Sequence, residues 1–482
     1  MRALGHPKHP LLWIGLYASL LATGFAPVPA QQAPSKQPSL PPELVANLEK
    51  LRDAALASDY AWRQVAHLTE NIGPRISGSP QAEHAVNYVA DELRRLGLEV
   101  TLQKVMVPHW VRGEERAALT LFPGQTPGTT QKIVVTALGN STATPPAGLT
   151  AELVVVNNFD ELTALGRDKI AGRIVLFNEK FDQRLAAQGL AFHAYGRAVA
   201  YRAKGAEAAK ALGAAASLVR TVGSADYRLP HTGFSAPAGI PAGAVTAEDA
   251  DLIAHLVQQG RVTMQLVLTP QMLPDSVSYN VIADLKGSEH PEQIVIVSGH
   301  LDSWDLGTGA IDDAAGVAVA MQAANLCKQL GLRPKRTLRV IAWMDEENGG
   351  RGNQAYFAEH KSDVANHIGA IESDGGAGHP SGFSGSFKPS ALEALQPVAK
   401  VLEGVGAVVF QSGGGGGSDI APLSEVGVPG FGISQDGRKY FDYHHSAADT
   451  LDKIDPHELA ENAAAMIVLA YALADMPRPL PR

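Results

Sequence analysis

Hydrophobic and polar positions divide the chain into three stretches of different rhythm. In the first, residues 44–57 and 59–70 carry apolar side chains at helical spacing. After the turn Asn71-Ile72-Gly73-Pro74-Arg75, residues 80–97 repeat it with a stripe of Ala85, Val86, Val89, Ala90 and Leu93. Residues 98–107 then alternate, which predicts a strand. From about residue 118 the runs become short. Residues 132–137 and 151–156 are β-like and separated by Gly, Pro and Thr. Residues 174–177 and 214–220 predict strands on either side of an Ala-rich helix over 197–212, and residues 240–245 lead into a short helix ending near Gly260. This second stretch predicts an inserted β-rich domain over 118–272, with no metal-ligand cluster in it. The third stretch, 273–482, has four apolar runs that each end in polar residues, with helical segments between them: 294–297, 338–344, 367–371 and 428–433. That alternation predicts an α/β domain with a mostly parallel central sheet flanked by helices. A last helix is expected over 456–474, opened by Asp455-Pro456 as N-cap and first-turn proline.

The polar residues at these run ends carry the chemistry. Ile294-Val295-Ile296-Val297 has the composition of a strand buried on both faces, and it breaks into Ser298-Gly299-His300-Leu301-Asp302. Ligands of open α/β sheets bind just past the carboxyl ends of the strands. Three run ends there gather His300, Asp302, Glu346, Glu347 and Asp374; a helix start adds Asp312 and Asp313, and a late loop adds His444 and His445. Five or six carboxylates in one crevice repel one another unless cations neutralise them. Two divalent ions sharing a carboxylate offset more of that charge than one. Imidazole with carboxylate suits zinc better than magnesium or calcium. Taken singly, each residue has an ordinary reading: Asp312 or Asp313 as a helix N-cap, Glu346-Glu347 as solvated charge, Asp374 as a turn residue before Gly375-Gly376. The coincidence of all of them argues for a metal centre, and Asp302, two residues beyond His300, is placed to orient its ring. Other motifs fail. His457-Glu458 lacks a second His four residues on, Gly413 to Gly417 lacks a following Lys, and no Gly-x-Ser-x-Gly elbow occurs.

Composition narrows the setting. A chain of 482 residues holds two or three domains. Its net charge of −9 and the absence of a Lys/Arg stripe argue against nucleic acid as a partner. Arg2 and Lys8, the apolar residues 11–25 and then Val28-Pro29-Ala30 have the form of a secretory signal over 1–30, removed before Gln31. Residues 31–42, rich in Gln, Pro and Ser, are expected to be a disordered linker. The expected location is therefore periplasmic or extracellular, with no membrane association after signal cleavage. Cys327 is the sole cysteine, so no intramolecular disulfide forms, which fits a bacterial periplasm or medium.

The order His-x-Asp, Asp, Glu-Glu, Asp, and His before Ser resembles the di-zinc exopeptidases that include bacterial leucyl aminopeptidases and glutamate carboxypeptidase. Residues 300–305, 331–338 and 418–423 look most like the plasma glutamate carboxypeptidase branch. The resemblance covers nearly the whole chain after the signal and is strongest over 277–455. It implies two Zn2+ per chain, His300 and Asp374 on one, Glu347 and His445 on the other, and Asp312 bridging. Asp302 would orient His300 and Glu346 would be the general base. His445 is preferred to His444 because the family's ligand directly precedes Ser or Thr. A cis peptide after Asp312 is implied too. The resemblance also makes 43–117 with 273–482 the catalytic domain and 118–272 a protease-associated domain, and it suggests a homodimer. The implied activity is hydrolysis of terminal bonds in dipeptides or short peptides. Carboxypeptidase or amidohydrolase action on the same core, or a non-catalytic receptor-like binding role, are the alternatives; all five ligand positions are filled. One departure stands out: some relatives carry a Tyr oxyanion donor shortly before the late Ser-Asp, where this chain has Gly413 to Gly417.

Overall fold

Two eight-stranded sheets organise the computed structural model, which describes residues 40–225 and 227–482. The expected signal and the linker up to residue 39 lie outside the described residues, and Pro42 already opens the first helix, Pro42–Leu56. The described residues form one compact unit. None of their helices is long and apolar enough to cross a membrane.

The first sheet runs, edge to edge, Glu99–Val111, Gln271–Leu285, Arg336–Trp343, His290–His300, His367–Glu372, Gly430–Gln435, Pro380–Ser386 and Val409–Ser412. Its four central strands, from Arg336–Trp343 to Gly430–Gln435, are parallel. Around them the sheet is mixed, with Gln271–Leu285 antiparallel to both neighbours and Pro380–Ser386 antiparallel to Gly430–Gln435. The sheet is therefore less parallel than its apolar runs predict. One strand that escapes the pattern is Gln271–Leu285. Its first five residues are exposed in a two-stranded ribbon with Glu99–Val111, so only its second half carries the buried signature. Register places the central strand ends level, His300 opposite Trp343 and Ser298 opposite Glu372.

Helices close both faces, Ala315–Gln329 and Pro456–Asp475 against Val295 and Val297, Arg351–His360 and Ala421–Glu425 against Ile294 and Ile296. Ala315–Gln329 is buried from Ala315 through Cys327, which is why its sequence is apolar all round. Each fully buried Val or Leu in it contributes roughly 1.5–3 kcal/mol relative to exposure. Pro456–Asp475 is capped as its sequence predicts, the Asp455 carboxylate accepting the N–H groups of His457 and Glu458.

The second sheet draws all its strands from residues 115–268. Four of them, Leu149–Val156, Ile174–Phe177, Ala216–Arg220 and Ala242–Val245, are parallel. The helices Phe159–Ile170, Ala191–Ala211 and Ala247–Gln259 accompany them, so this stretch is α/β rather than merely β-rich.

Candidate metal centre

The crevice beyond the central strand ends holds two ligand groups that share Asp312. In one, His300 Nε2 lies 3.0 Å from Asp312 Oδ1 and 3.4 Å from Asp374 Oδ1. In the other, Asp312 Oδ2 lies 3.2 Å from His445 Nε2, which is itself 2.8 Å from Glu347 Oε2. His444 stacks on His445 at 3.6 Å between centroids, and its Nε2 is 3.4 Å from the same Asp312 oxygen. Candidate ligand atoms of His300, Asp312 and Asp374 fall within 4.8 Å of one another, as do those of Asp312, His444 and His445. Glu347 joins the second group through His445.

The donor set fits a cation. Asp312 Oδ2 and Glu347 Oε1 are buried without a hydrogen-bond partner. Leaving such oxygens bare costs about 1–3 kcal/mol each, more when charged. Their titration reports the same crowding. Burial first, then Asp312, pushes Glu347 up to about 8. Burial, against the pull of His300 and with Glu346 and Asp312 adding repulsion, raises Asp374 to about 6. Burial would raise Asp312 too, but His300 and His445 hold it well below the usual carboxylate range. Burial works against the charged form of His300, and Asp312 and Asp374 nevertheless lift it well above an ordinary histidine.

Outside these ligands, four residues fix the geometry. His300 Nδ1 donates to the backbone carbonyl of Asp302 at 2.9 Å, while the Asp302 carboxylate is 3.9 Å away. The expected orienting role thus belongs to the Asp302 carbonyl. Its carboxylate instead accepts the N–H groups of Asp345, Glu346 and Glu347 and the Ser77 hydroxyl, tying the neighbouring strand end to the His300 loop. Asp313 accepts the N–H of His300 at 3.0 Å and of Gly316 at 2.9 Å, so it fastens the strand to the Ala315–Gln329 helix. Gly299 and Gly316 are needed there, since a Cβ on either would lie within 2.5 Å of the Asp313 carboxylate. The Asp312–Asp313 peptide is cis. Arg75 and Asp449 were not legible as site residues. Arg75, fully buried, donates to the carbonyls of Leu301, Thr308 and Gly309, and Asp449 accepts the N–H groups of Ala310 and Ile311. Nothing in the sequence around either residue distinguishes it from a turn residue.

Glu346 is not among the close ligand contacts. It stands on the wall of a cavity of about 390 Å³, with Oε1 accepting from the Ser418 hydroxyl at 2.5 Å. The Gly413 to Gly417 loop closes against the sheet, and a Cβ at Gly417, whose φ is +130°, would lie 2.4 Å from the Glu372 carboxyl carbon. The opposite wall comes from the second layer: Phe192, Tyr195, Arg202 and Phe234. That layer also grips His445, which has φ +59°. The Thr232 N–H donates to its carbonyl at 2.9 Å, and from the first layer Trp304, edged by Trp110, packs against its ring.

Residues 280–470 match the model of peptidase family M28. Carboxypeptidase Q of Homo sapiens is 39% identical over 434 residues, covering 88% of this chain and 88% of that protein. The crystal structure of a peptidase M28 precursor from Shewanella amazonensis is 36% identical with a TM-score of 0.85, covering 91% of this chain and 99% of that one. BSAP, a zinc aminopeptidase from Bacillus subtilis, is 20% identical with a TM-score of 0.62 over 86% of this chain and 95% of its own, a likeness of fold.

Proposed function

The chain belongs to peptidase family M28 and is a metallo-exopeptidase of the carboxypeptidase Q type, and from that footing we propose that it hydrolyses terminal peptide bonds of dipeptides or short peptides with two zinc ions. In this reading His300 and Asp374 hold one ion, Glu347 and His445 the other, and Asp312 both. The observation that carries it is Asp312, whose two oxygens face His300 and His445 separately. His445 is preferred to His444 because its Nε2 alone also meets Glu347. Zinc bound there would polarise the scissile carbonyl and make water a better nucleophile at neutral pH.

The remaining work falls to side chains. Glu346, held by Ser418 at the cavity wall, takes the proton of the attacking water and returns it to the leaving amine. Asp302 keeps Glu346 and His300 at a fixed separation through its backbone and carboxylate bonds. Phe192, Tyr195 and Phe234 exclude water from the second-layer side. We read residues 118–272, which hold most of the second sheet, as the protease-associated domain of the family, residues 1–30 as an export signal, and the location as periplasmic or extracellular.

The test measures zinc content beside hydrolysis of unblocked dipeptides and of matched amino-blocked and carboxy-blocked peptides. About two zinc per chain, with chelator-sensitive cleavage that needs a free amino group, is the expected result for dipeptidase or aminopeptidase action. Cleavage of amino-blocked substrates alone would move the reading to carboxypeptidase. Full activity in metal-free protein would sink it.

A further inference from the structure

We propose that Tyr440 limits the length of peptide this centre accepts, by standing as a partition between the metal cavity and a larger cavity beside it. The inference rests on the exopeptidase reading above and narrows it. Dipeptides are the preferred substrates, and longer chains are turned away at this ring.

Next to the cavity of about 390 Å³ lies a second of about 760 Å³. Their walls alternate along the chain. Asp312 and Asp374 face the first, and their neighbours Ile311 and Gly375 face the second. Among the described residues Tyr440 alone lines both, so its side chain stands where the two spaces adjoin. The second cavity suits a peptide backbone. Gly376 and Gly378 line it without side chains, and Arg438 and Lys453 make it polar.

The ring is held where it stands. Tyr440 is 7% exposed. Gly376, with φ +94°, passes so close that a Cβ on it would lie 2.9 Å from Tyr440 Cδ2. Gln435 fixes that glycine, its Nε2 donating to the Gly376 carbonyl at 2.7 Å and to Asn462 Oδ1 at 3.0 Å. Phe192 stacks on the ring at 5.4 Å between centroids, and the His444 ring lies at 5.0 Å. A side chain packed on these sides does not swing aside without moving the Gly376 loop.

Length enters through reach. Ligand cavities run from roughly 300 to 1,000 Å³, and the metal cavity lies near the lower end, where a dipeptide fits. Each further residue adds about 3.3 Å of extended chain. The second layer closes one side with Tyr195, Arg202 and Phe234. The adjoining room lies behind Tyr440.

The test is kcat/KM of the zinc-loaded full chain on unblocked alanine peptides of two to five residues. Wild type should lose about tenfold or more from dipeptide to tetrapeptide, the scale on which a pocket rejects excess bulk. Tyr440→Ala, which joins the two cavities, should shrink that ratio by about tenfold or more. Damage common to all substrates cancels in the ratio, so a merely structural role for Tyr440 would leave it unmoved. Tyr440→Phe, which keeps the ring, should retain the wild-type ratio. Should Tyr440→Ala fail to hold zinc, Tyr440→Leu decides by the same ratio, and the wild-type profile needs no variant to fold. A flat wild-type profile, an alanine or leucine variant that cleaves dipeptide with the wild-type ratio, or loss of the ratio in Tyr440→Phe would each overturn the inference and leave the exopeptidase reading standing. Zinc-loaded wild type that cleaves no peptide of any length would overturn that reading and this inference with it.

Discussion

Both sheets place parallel strands at their centre, and both end those strands in polar residues, yet the charge they deliver differs. The first ends in His300, in Asp345 to Glu347 beyond Trp343, and in Glu372. The second ends in Asn157 and Asn158 beyond Val156, in Asn178 beyond Phe177, and in Arg220. Arg220 is consumed within its own layer by Asp251 and Asn178. What the second layer sends to the centre is Arg202, aromatic rings and the Thr232 N–H. Strand ends locate a crevice; they do not fix its sign. Here one layer supplies the anions that attract metal, and the other supplies the cation and rings that back and cover them.

That division can be broken most severely on the anionic side. Glu346→Gln should lower kcat about 10²–10⁴-fold, the range for a lost general base, with zinc content retained by elemental analysis. Activity within tenfold of wild type would remove Glu346 from that role. The seam between layers comes next. A Cβ at Gly139 would lie 2.1 Å from the Trp304 ring, so Gly139→Ala should cost about 1–3 kcal/mol by overpacking, read as a lower midpoint in urea. An unchanged midpoint would mean that the seam is slack.

A third effect depends on pH. Without metal, Glu347 titrates at about 8 and Asp374 at about 6 in the folded protein, above their ordinary values, and His300 is raised as well. The folded chain therefore keeps protons that the unfolded chain has already released. Stability of metal-free protein should fall as pH rises from 5 to 8, by about 1.4 kcal/mol per pH unit for each proton of difference. Asp312, held low, acts in the opposite sense only below pH 4, whereas His231 and His367, pushed by burial down to about 3 and about 4, oppose the trend up to about pH 6.5 but are outnumbered by the raised groups. Saturating zinc should flatten or reverse the trend in a thermal melt. A metal-free protein that stabilises between pH 7 and 8, above the range of those histidines, would show that the carboxylates are not crowded. The smallest effect belongs to the rim. Phe192 is 49% exposed and stacks on Tyr440, so Phe192→Ala should raise KM a few-fold, leave kcat unchanged and shift stability by about 0.5 kcal/mol or less.

Much of the centre was legible because the relevant signals are local. An apolar run followed by His or acid marks a strand end, and Asp455-Pro456 marks a helix start. The missed parts are those that distant segments create. Arg202 lies in an Ala-rich helix, Ala191–Ala211, where a lone arginine looks like solvated charge until the fold sets it against His445 across 243 residues. Arg75 is a turn residue until it meets three carbonyls more than 220 residues away. The work of Asp302 was only partly legible for a related reason. Spacing shows that Asp302 is near His300, but not which of its oxygens faces the ring.

Asp302 carries one more consequence. Its carbonyl sets the ring of His300, and its carboxylate holds the backbone of Asp345, Glu346 and Glu347. A ligand on one strand, and a ligand and the proposed base on the next, are thus surveyed from a single benchmark. When that loop drifts, all three drift together, as a common-mode displacement that leaves their spacing intact. Tolerance in the position of the crevice need not become error in its dimensions.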